Sequence, residues 1–335
     1  VNATYMRQEI EEIPSAVSRL LDRSAAQLAD AGAVLRDSDP VMIATIARGS
    51  SDHAAAFLKY AFELVAGIPV ASIGPSVASV YGREISLRNC AAIAISQSGK
   101  SPDIVAMAQS ARASGATTIA LTNTPDSPLA AAATIAIDLA AGEEKSVAAT
   151  KSFVNSVVAG LALVAHASGN ASLHRAIAAL PAALETAVSC DWSPLADALV
   201  DAHSFYVLGR GPALAIAQEA ALKFKETCGL HAEAYSAAEV LHGPARIVEA
   251  GFPILALTAD DAAEASVAEV VDRLAGQGAR TFITSSKSSA GVALPSARTG
   301  DAVTGALTLI VSFYAFVEAL SRRRGFDPDR PPHLK

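Results

Sequence analysis

Glu219, Lys223 and Glu226 stand at i, i+4 and i+7 in PALAIAQEAALKFKETC, a run otherwise made mostly of alanine and leucine. On a helix beginning near Pro212 that spacing puts all three on one face. A polar stripe within an apolar surface suggests carboxylates and an ammonium directed into an interior cleft. Moving a proton between neighbouring carbons of an open-chain sugar needs one base that reaches both from the same side, and a carboxylate suits that work. Glu226 is the candidate base, and Lys223 the candidate to hold a hydroxyl or steady an enediol-like intermediate. The competing reading is an ordinary i,i+4 ion pair worth about 0.3–0.5 kcal/mol on a surface, and it is the one adopted for Glu219. Opening a pyranose ring needs a second acid-base group, and histidine is the side chain whose unperturbed range suits that near neutrality, so His242, in LHGP, is the candidate. A lone histidine is more often a satisfied core residue; the closeness of the HGP turn to strand ends sets His242 above His231.

Two loops carry a different chemistry. Arg48-Gly49-Ser50-Ser51-Asp52-His53 offers a glycine for close backbone approach and two adjacent hydroxyls, while Ser96-Gln97-Ser98-Gly99-Lys100-Ser101 offers three serines and an amide before a helix starting near Pro102. Hydroxyls combined with free N–H groups at a helix N-terminus make a site for a phosphate dianion. Taken singly, either loop reads equally well as serine caps on the following helix. A third polar segment, from Gly142 to Lys151 and including Val147 and Ala149, either wraps a sugar ring or is a solvated loop.

The elements that must position these residues follow from short apolar runs ending in small residues. Strands are expected at 42–51, 90–99, 117–123 and 134–140, with helices over 51–66 and 102–114 between them. The order returns at 204–213, 252–260, 280–286 and, more weakly, 289–295, with Gly49 and Gly209 about 160 residues apart. This predicts an α/β chain of two doubly wound parallel-sheet modules, three-layer αβα, related by an internal repeat. The expected divisions are a helical segment over 1–40 with one helix around 5–37, a first module over 41–165, a helical linker over 166–200, a second module over 201–320, and an extended arm over 321–335 that wanders over the surface.

Composition narrows the function classes. Of 335 residues, 51% are hydrophobic, 5% aromatic and 18% charged, which suits alanine-rich helices on parallel sheets and a large core. A net charge of −7 argues against a broad basic face for nucleic acid. No unbroken apolar run reaches about 18 residues and the N-terminus is charged, so no membrane segment or signal peptide is expected, and a cytoplasmic location is. The three scattered cysteines and seven histidines show neither disulfide nor metal-ligand spacing, so no metal and no cofactor is expected.

Together, MRQEIEEIPSAV at 6–17, ARGSSDH at 47–53, SQSGKSPD at 96–103, GEEKSVAATKSF at 142–153, EAALKFKE at 219–226, HAEAYSAAEVLHGP at 231–244 and DPD at 327–329 resemble the SIS (sugar isomerase) family. The resemblance covers almost the whole chain and is strongest to the glucosamine-6-phosphate branch: the isomerase half of glutamine–fructose-6-phosphate aminotransferases and, more closely, SIS-type glucosamine-6-phosphate deaminases. It implies that Ser96, Gln97, Ser98 and Ser101 hold a 6-phosphate, that Ser51, beside Ser50, contacts the sugar with Val147 and Lys223, that Glu226 carries the C1–C2 proton, and that His242, donated by the other subunit of a homodimer, opens the ring. The implied activity is deamination of glucosamine 6-phosphate to fructose 6-phosphate. A phosphosugar isomerase, a fructosamine-6-phosphate deglycase and a non-catalytic sugar-phosphate regulator share the same frame. Three departures bear on it. No glutaminase segment or N-terminal cysteine is present, which disfavours synthesis from glutamine. Ala149 stands where the aminotransferase pattern has serine, and Lys335 falls one residue short of the register of that pattern's Schiff-base lysine.

Overall fold

The computed structural model describes residues 3–334. The chain divides into two compact units. One comprises Ser15–Glu143 and Lys151–Ala178; the other comprises the N-terminal stretch up to Pro14, the segment Glu144–Thr150, and everything from Ala179 onward.

In the first of these, β1 (Ile43–Ile46), β2 (Val70–Ser72), β3 (Ala91–Ile95), β4 (Thr117–Thr122) and β5 (Ile135–Asp138) form a parallel sheet in the order β2-β1-β3-β4-β5. In the second, β6 (Ser204–Gly209), β7 (His231–Ser236), β8 (Pro253–Ala256), β9 (Arg280–Ile283) and β10 (Val292–Ala293) form another, ordered β10-β9-β8-β6-β7. All pairings are parallel, and β7-β6-β8-β9-β10 repeats β2-β1-β3-β4-β5 strand for strand. The repeat expected from the sequence is therefore a repeat of topology. β1 and β3 are buried along their whole length, as expected of parallel strands with helices on both faces, which is why IATI and AAIAI show no alternation.

Both sheets reverse direction beside their first strand, at β1/β3 and at β6/β8. Ligands in doubly wound sheets bind outside the carboxyl ends at such a point. Because Ile46 pairs with Ala94, the loops that leave β1 at Arg48 and β3 at Ser96 emerge side by side. Buried polar side chains fix how the chain leaves the sheet after β5. Asn155 donates to the carbonyls of Ala16 (3.0 Å) and Leu139 (2.7 Å), and Arg19 donates to those of Ala140 (2.8 Å) and Ala141 (3.1 Å).

Three expectations need correction, and the absence of a membrane segment needs one qualification. The helix around 5–37 is three helices, Tyr5–Glu11, Ile13–Arg23 and Ala25–Ser38. β2 and β7 are additional strands; both are short and mixed in polarity and lie beside β1 and β6. The helix Ala302–Arg323 is long and apolar enough to cross a membrane, yet 94% of its apolar window is buried inside the fold. The arm does not wander. Arg324 donates to the carbonyls of Leu199, Val200 and Cys228, Pro328 and Pro331 are buried, and Asp329 accepts from the first-turn amides of Tyr5 (2.7 Å) and Met6 (2.8 Å).

Asp329 thus caps the helix Tyr5–Glu11 from more than 300 residues away in sequence, alongside the local cap by Thr4 on Arg7 N–H. Replacing Asp329 with Ala is expected to lower unfolding stability by about 1 kcal/mol, the usual cost of a lost N-cap, read as a lower urea midpoint at unchanged slope.

Candidate active site

The turn after β3 is built around Gly99. Its φ of +61° is a left-handed conformation, and a Cβ there would fall 2.1 Å from Ser127 Oγ and 2.9 Å from Thr122 Oγ1. With glycine in place, its N–H donates to Ser96 O and Ser96 Oγ, both at 3.2 Å, and its carbonyl accepts from Leu129 N–H at 3.0 Å. Gln97 O accepts from Asn123 N–H (3.0 Å) and from the Thr122 hydroxyl (3.3 Å). The turn is therefore held by backbone bonds together with the Ser96 and Thr122 hydroxyls. Ser96, Ser98 and Ser101 are half-buried and Gln97 is exposed. Ser101 precedes the helix Pro102–Ala113, but its hydroxyl makes no cap bond. Its hydroxyl is thus not committed to the helix end as the capping alternative requires.

The neighbouring loop after β1 turns at Gly49, φ +56°, which precedes the helix Ser50–Ala61 without any side-chain cap. Ser50 and Ser51 are half-buried in its first turn. Arg48 pairs with Asp103, tying this loop to the helix that follows the serine turn. Burial raises the Asp52 carboxyl above its ordinary range, with His53 opposing.

The acid-base stripe lies in the other unit, on the helix Pro212–Cys228. Lys223 is 1% exposed, with its ammonium 2.7 Å from Glu226 Oε2 and 3.3 Å from Glu219 Oε1. Glu219 is fully buried and accepts from the Tyr314 hydroxyl at 3.1 Å, which corrects its reading as a surface ion pair. Glu226 differs: its side chain is 22% exposed and lines a cleft of about 470 Å³ with Leu222, Thr227, Phe326 and His333. Burial works to lower the Lys223 pKa, but the two carboxylates outweigh it and raise the value. Burial, then Glu219, Glu144 and Glu226, push the Tyr314 phenol well above its ordinary value, so it remains a donor.

Glu144 reaches this network from the segment Glu144–Thr150, where it accepts from Thr150 N–H at 2.8 Å. In the same segment Val147 is exposed and Ala149 half-buried. His242 ends a short 3-10 turn, exposed, and is not among the residues lining the Glu226 cleft. His231 lies at the start of β7, its Nδ1 3.1 Å from Ser204 Oγ. Lys335 lies outside the described residues. Sequence reasoning missed Tyr314 and Glu144; the one available signal for Tyr314 was a phenol within the apolar run LIVSFYAFV, where a buried hydroxyl requires a partner.

Comparison with known proteins places the chain as a whole. The SIS domain matches residues 35–166 and 198–317, and the chain belongs to that family. It is 32% identical to a glutamine–fructose-6-phosphate aminotransferase of Pyrobaculum aerophilum over 98% of this chain and 56% of that protein. The Escherichia coli counterpart is 31% identical over 83% of this chain and 48% of its own length, so the chain spans about half of these relatives. Among solved structures, a protein from Silicibacter pomeroyi provisionally assigned as a phosphosugar isomerase aligns with TM-score 0.95 and 53% identity over 98% of this chain and all of that one. A glucosamine-6-phosphate deaminase from Thermotoga maritima shares the fold, with TM-score 0.79 at 20% identity over 99% of this chain and 98% of that one.

Two outcomes follow from this geometry. Gly99→Ala is expected to weaken binding of inorganic phosphate at least tenfold in calorimetry, because the turn must shift to admit a Cβ. Lys223→Met is expected to cost about 3–5 kcal/mol in urea unfolding, since it leaves carboxylates buried without their countercharge. The raised Lys223 pKa means the folded chain holds this proton more tightly than the unfolded one. Its contribution to stability is therefore complete below the ordinary lysine value and lost only as pH rises through the higher folded one. An alkaline titration of the unfolding midpoint reads this directly.

Proposed function

We propose that the chain is a phosphosugar isomerase that deaminates glucosamine 6-phosphate. The observation that carries the reading is Glu226, a carboxylate held at Oε2 by a buried lysine in a residue that also lines a cleft. Ser96, Ser98, Ser101 and the Gln97 amide hold the 6-phosphate, with Ser50 and Ser51 beside them. Val147, Ala149 and Lys223 face the sugar. With the ring open, Glu226 takes the proton from C2, giving an enolamine, and returns it to C1. The product is an imine at C2, and water adds there to release ammonia and leave fructose 6-phosphate. Lys223 offers its charge to the oxygen on which negative charge develops. His242, exposed in a single chain, is assigned to ring opening in a second copy's site, which makes the working form a homodimer.

The chain's membership of the SIS family and its match to the Silicibacter pomeroyi structure support the broader class, an isomerase of phosphosugars.

Purified protein is expected to release ammonia from glucosamine 6-phosphate, and Glu226→Gln to slow release about 10²–10⁴-fold. Equal rates in the two proteins refute the role of Glu226. Interconversion of aldose and ketose without ammonia favours the plain isomerase, release of a free amino acid from a fructosamine adduct favours the deglycase, and tight binding with no turnover favours a sensor.

A further inference from the structure

Between the N-terminal helix and the segment that faces the sugar lies a contact for which the reaction as derived has no use. Glu9 is 4% exposed, and its carboxylate accepts from three donors of one short stretch: the amides of Lys145 and Ser146 and the Ser146 hydroxyl. Ser146 is itself buried. Next to it, the Lys145 ammonium lies over the Tyr5 ring, 5.4 Å from its centroid, one helical turn before Glu9. The helix bearing Tyr5 and Glu9 is fixed at its start by Asp329 and through Thr4, whose hydroxyl donates to Glu318 at 2.9 Å. At its other end the segment is closed by Glu144 on Thr150 N–H.

A buried carboxylate accepting only N–H and O–H donors fixes the backbone direction of what it holds, since each donor must aim at an oxygen lone pair. The stretch held here runs directly into Val147 and Ala149. No regular secondary structure orders residues 144–150, so side-chain bonds must do so.

We infer that Glu9 is a positioning residue for the reaction: it sets the 145–149 backbone so that Val147 and Ala149 meet the sugar, while having no contact with the phosphate. The inference rests on the proposed phosphosugar reading for its functional half, and on hydrogen bonds alone for its structural half.

The test compares wild type, Glu9→Gln, Glu9→Asp and Ser146→Ala in the full chain. Gln keeps one acceptor but turns an NH₂ toward N–H donors. Glu9→Gln is expected to lower kcat/KM for glucosamine 6-phosphate about tenfold to a hundredfold, the scale of a small misplacement in a site. Affinity for inorganic phosphate should stay within twofold of wild type. Ser146→Ala should lose several-fold, Glu9→Asp should recover part of the loss, and the Glu9→Gln/Ser146→Ala pair should fall short of additivity. A parallel fall in phosphate affinity and in kcat/KM marks general disruption and overturns the inference, as does no change in either. Should wild type turn over no phosphosugar, the functional reading fails separately. Amide exchange then decides: at least tenfold faster exchange at Lys145 and Ser146 in Glu9→Gln supports the hold, and unchanged exchange refutes it. If Glu9→Gln does not fold, Ser146→Ala carries the same comparisons.

Discussion

A lysine with almost no contact with water is the constraint to which the second unit is built. An ammonium in a protein interior is tolerated only when carboxylates and hydrogen bonds replace what water supplied. Lys223 has Glu226 at 2.7 Å and Glu219 at 3.3 Å. Glu219 is buried in turn and takes the Tyr314 hydroxyl, so the requirement passes from the helix Pro212–Cys228 to the helix Ala302–Arg323. The two helices must then stay in register. Phe224 meets Phe205 at 4.4 Å and Phe313 at 4.9 Å between ring centroids, edge to face, which locks the lysine-bearing helix against the sheet on one side and the long helix on the other. A charge network of this kind has little tolerance for drift, and that same intolerance keeps Glu226 at one position.

The repeat makes the specialisation of the two halves visible. Pairing of Ile95 with Leu121 and of Ala256 with Ile283 puts Gln97 and Thr258 at equivalent points, with Thr122 and Thr284 equivalent beside them. Both threonine hydroxyls donate to the carbonyl across from them, Thr122 to Gln97 at 3.3 Å and Thr284 to Thr258 at 2.9 Å. Beyond that point the chemistry diverges. The first half continues with serines and Gly99, the second with Asp260 and Asp261 before the helix that begins at Glu264. There Arg298 reaches Asp260 at 3.0 Å and Lys287 reaches Glu264 at 2.5 Å, so nearby cations already have carboxylate partners from the chain itself. One backbone plan thus carries a serine-rich turn in one half and a turn whose carboxylates are paired with cations of the chain in the other.

Much of this was legible in the residues because it depends on local order. Apolar runs such as CAAIAI and TTIALT became β3 and β4, and the Gly49–Gly209 offset announced a repeat that the strand orders repeat. β2 and β7 were missed because a three-residue VAS and a HAEAYS with charge and aromatic residues carry little apolar signal, and their place in the sheet comes from neighbours. The break of 5–37 into three helices was hidden in the same way, since each helix is individually well formed and only packing decides where the axis turns. The face shared by Glu219, Lys223 and Glu226 was readable from spacing. What was not readable was depth, because spacing on a helix says which residues share a side and nothing about which of them solvent reaches.

Depth is what separates the two carboxylates. Glu219 and Glu226 sit on the same helix face and bind the same ammonium, yet one is sealed and the other borders a cleft. Glu219 spends its acceptor capacity on Lys223 and Tyr314, both with raised pKa values, so both remain donors to it throughout the neutral range. Glu226 is bound by Lys223 through Oε2 and is open to the cleft. A base that must take a proton from carbon and return it to the next carbon needs such an unsatisfied oxygen, together with a neighbour that fixes its orientation without neutralising it. By that criterion the buried partner holds the ammonium in place, and Glu226, 22% exposed, is the one to which the proposed reading gives the proton transfer.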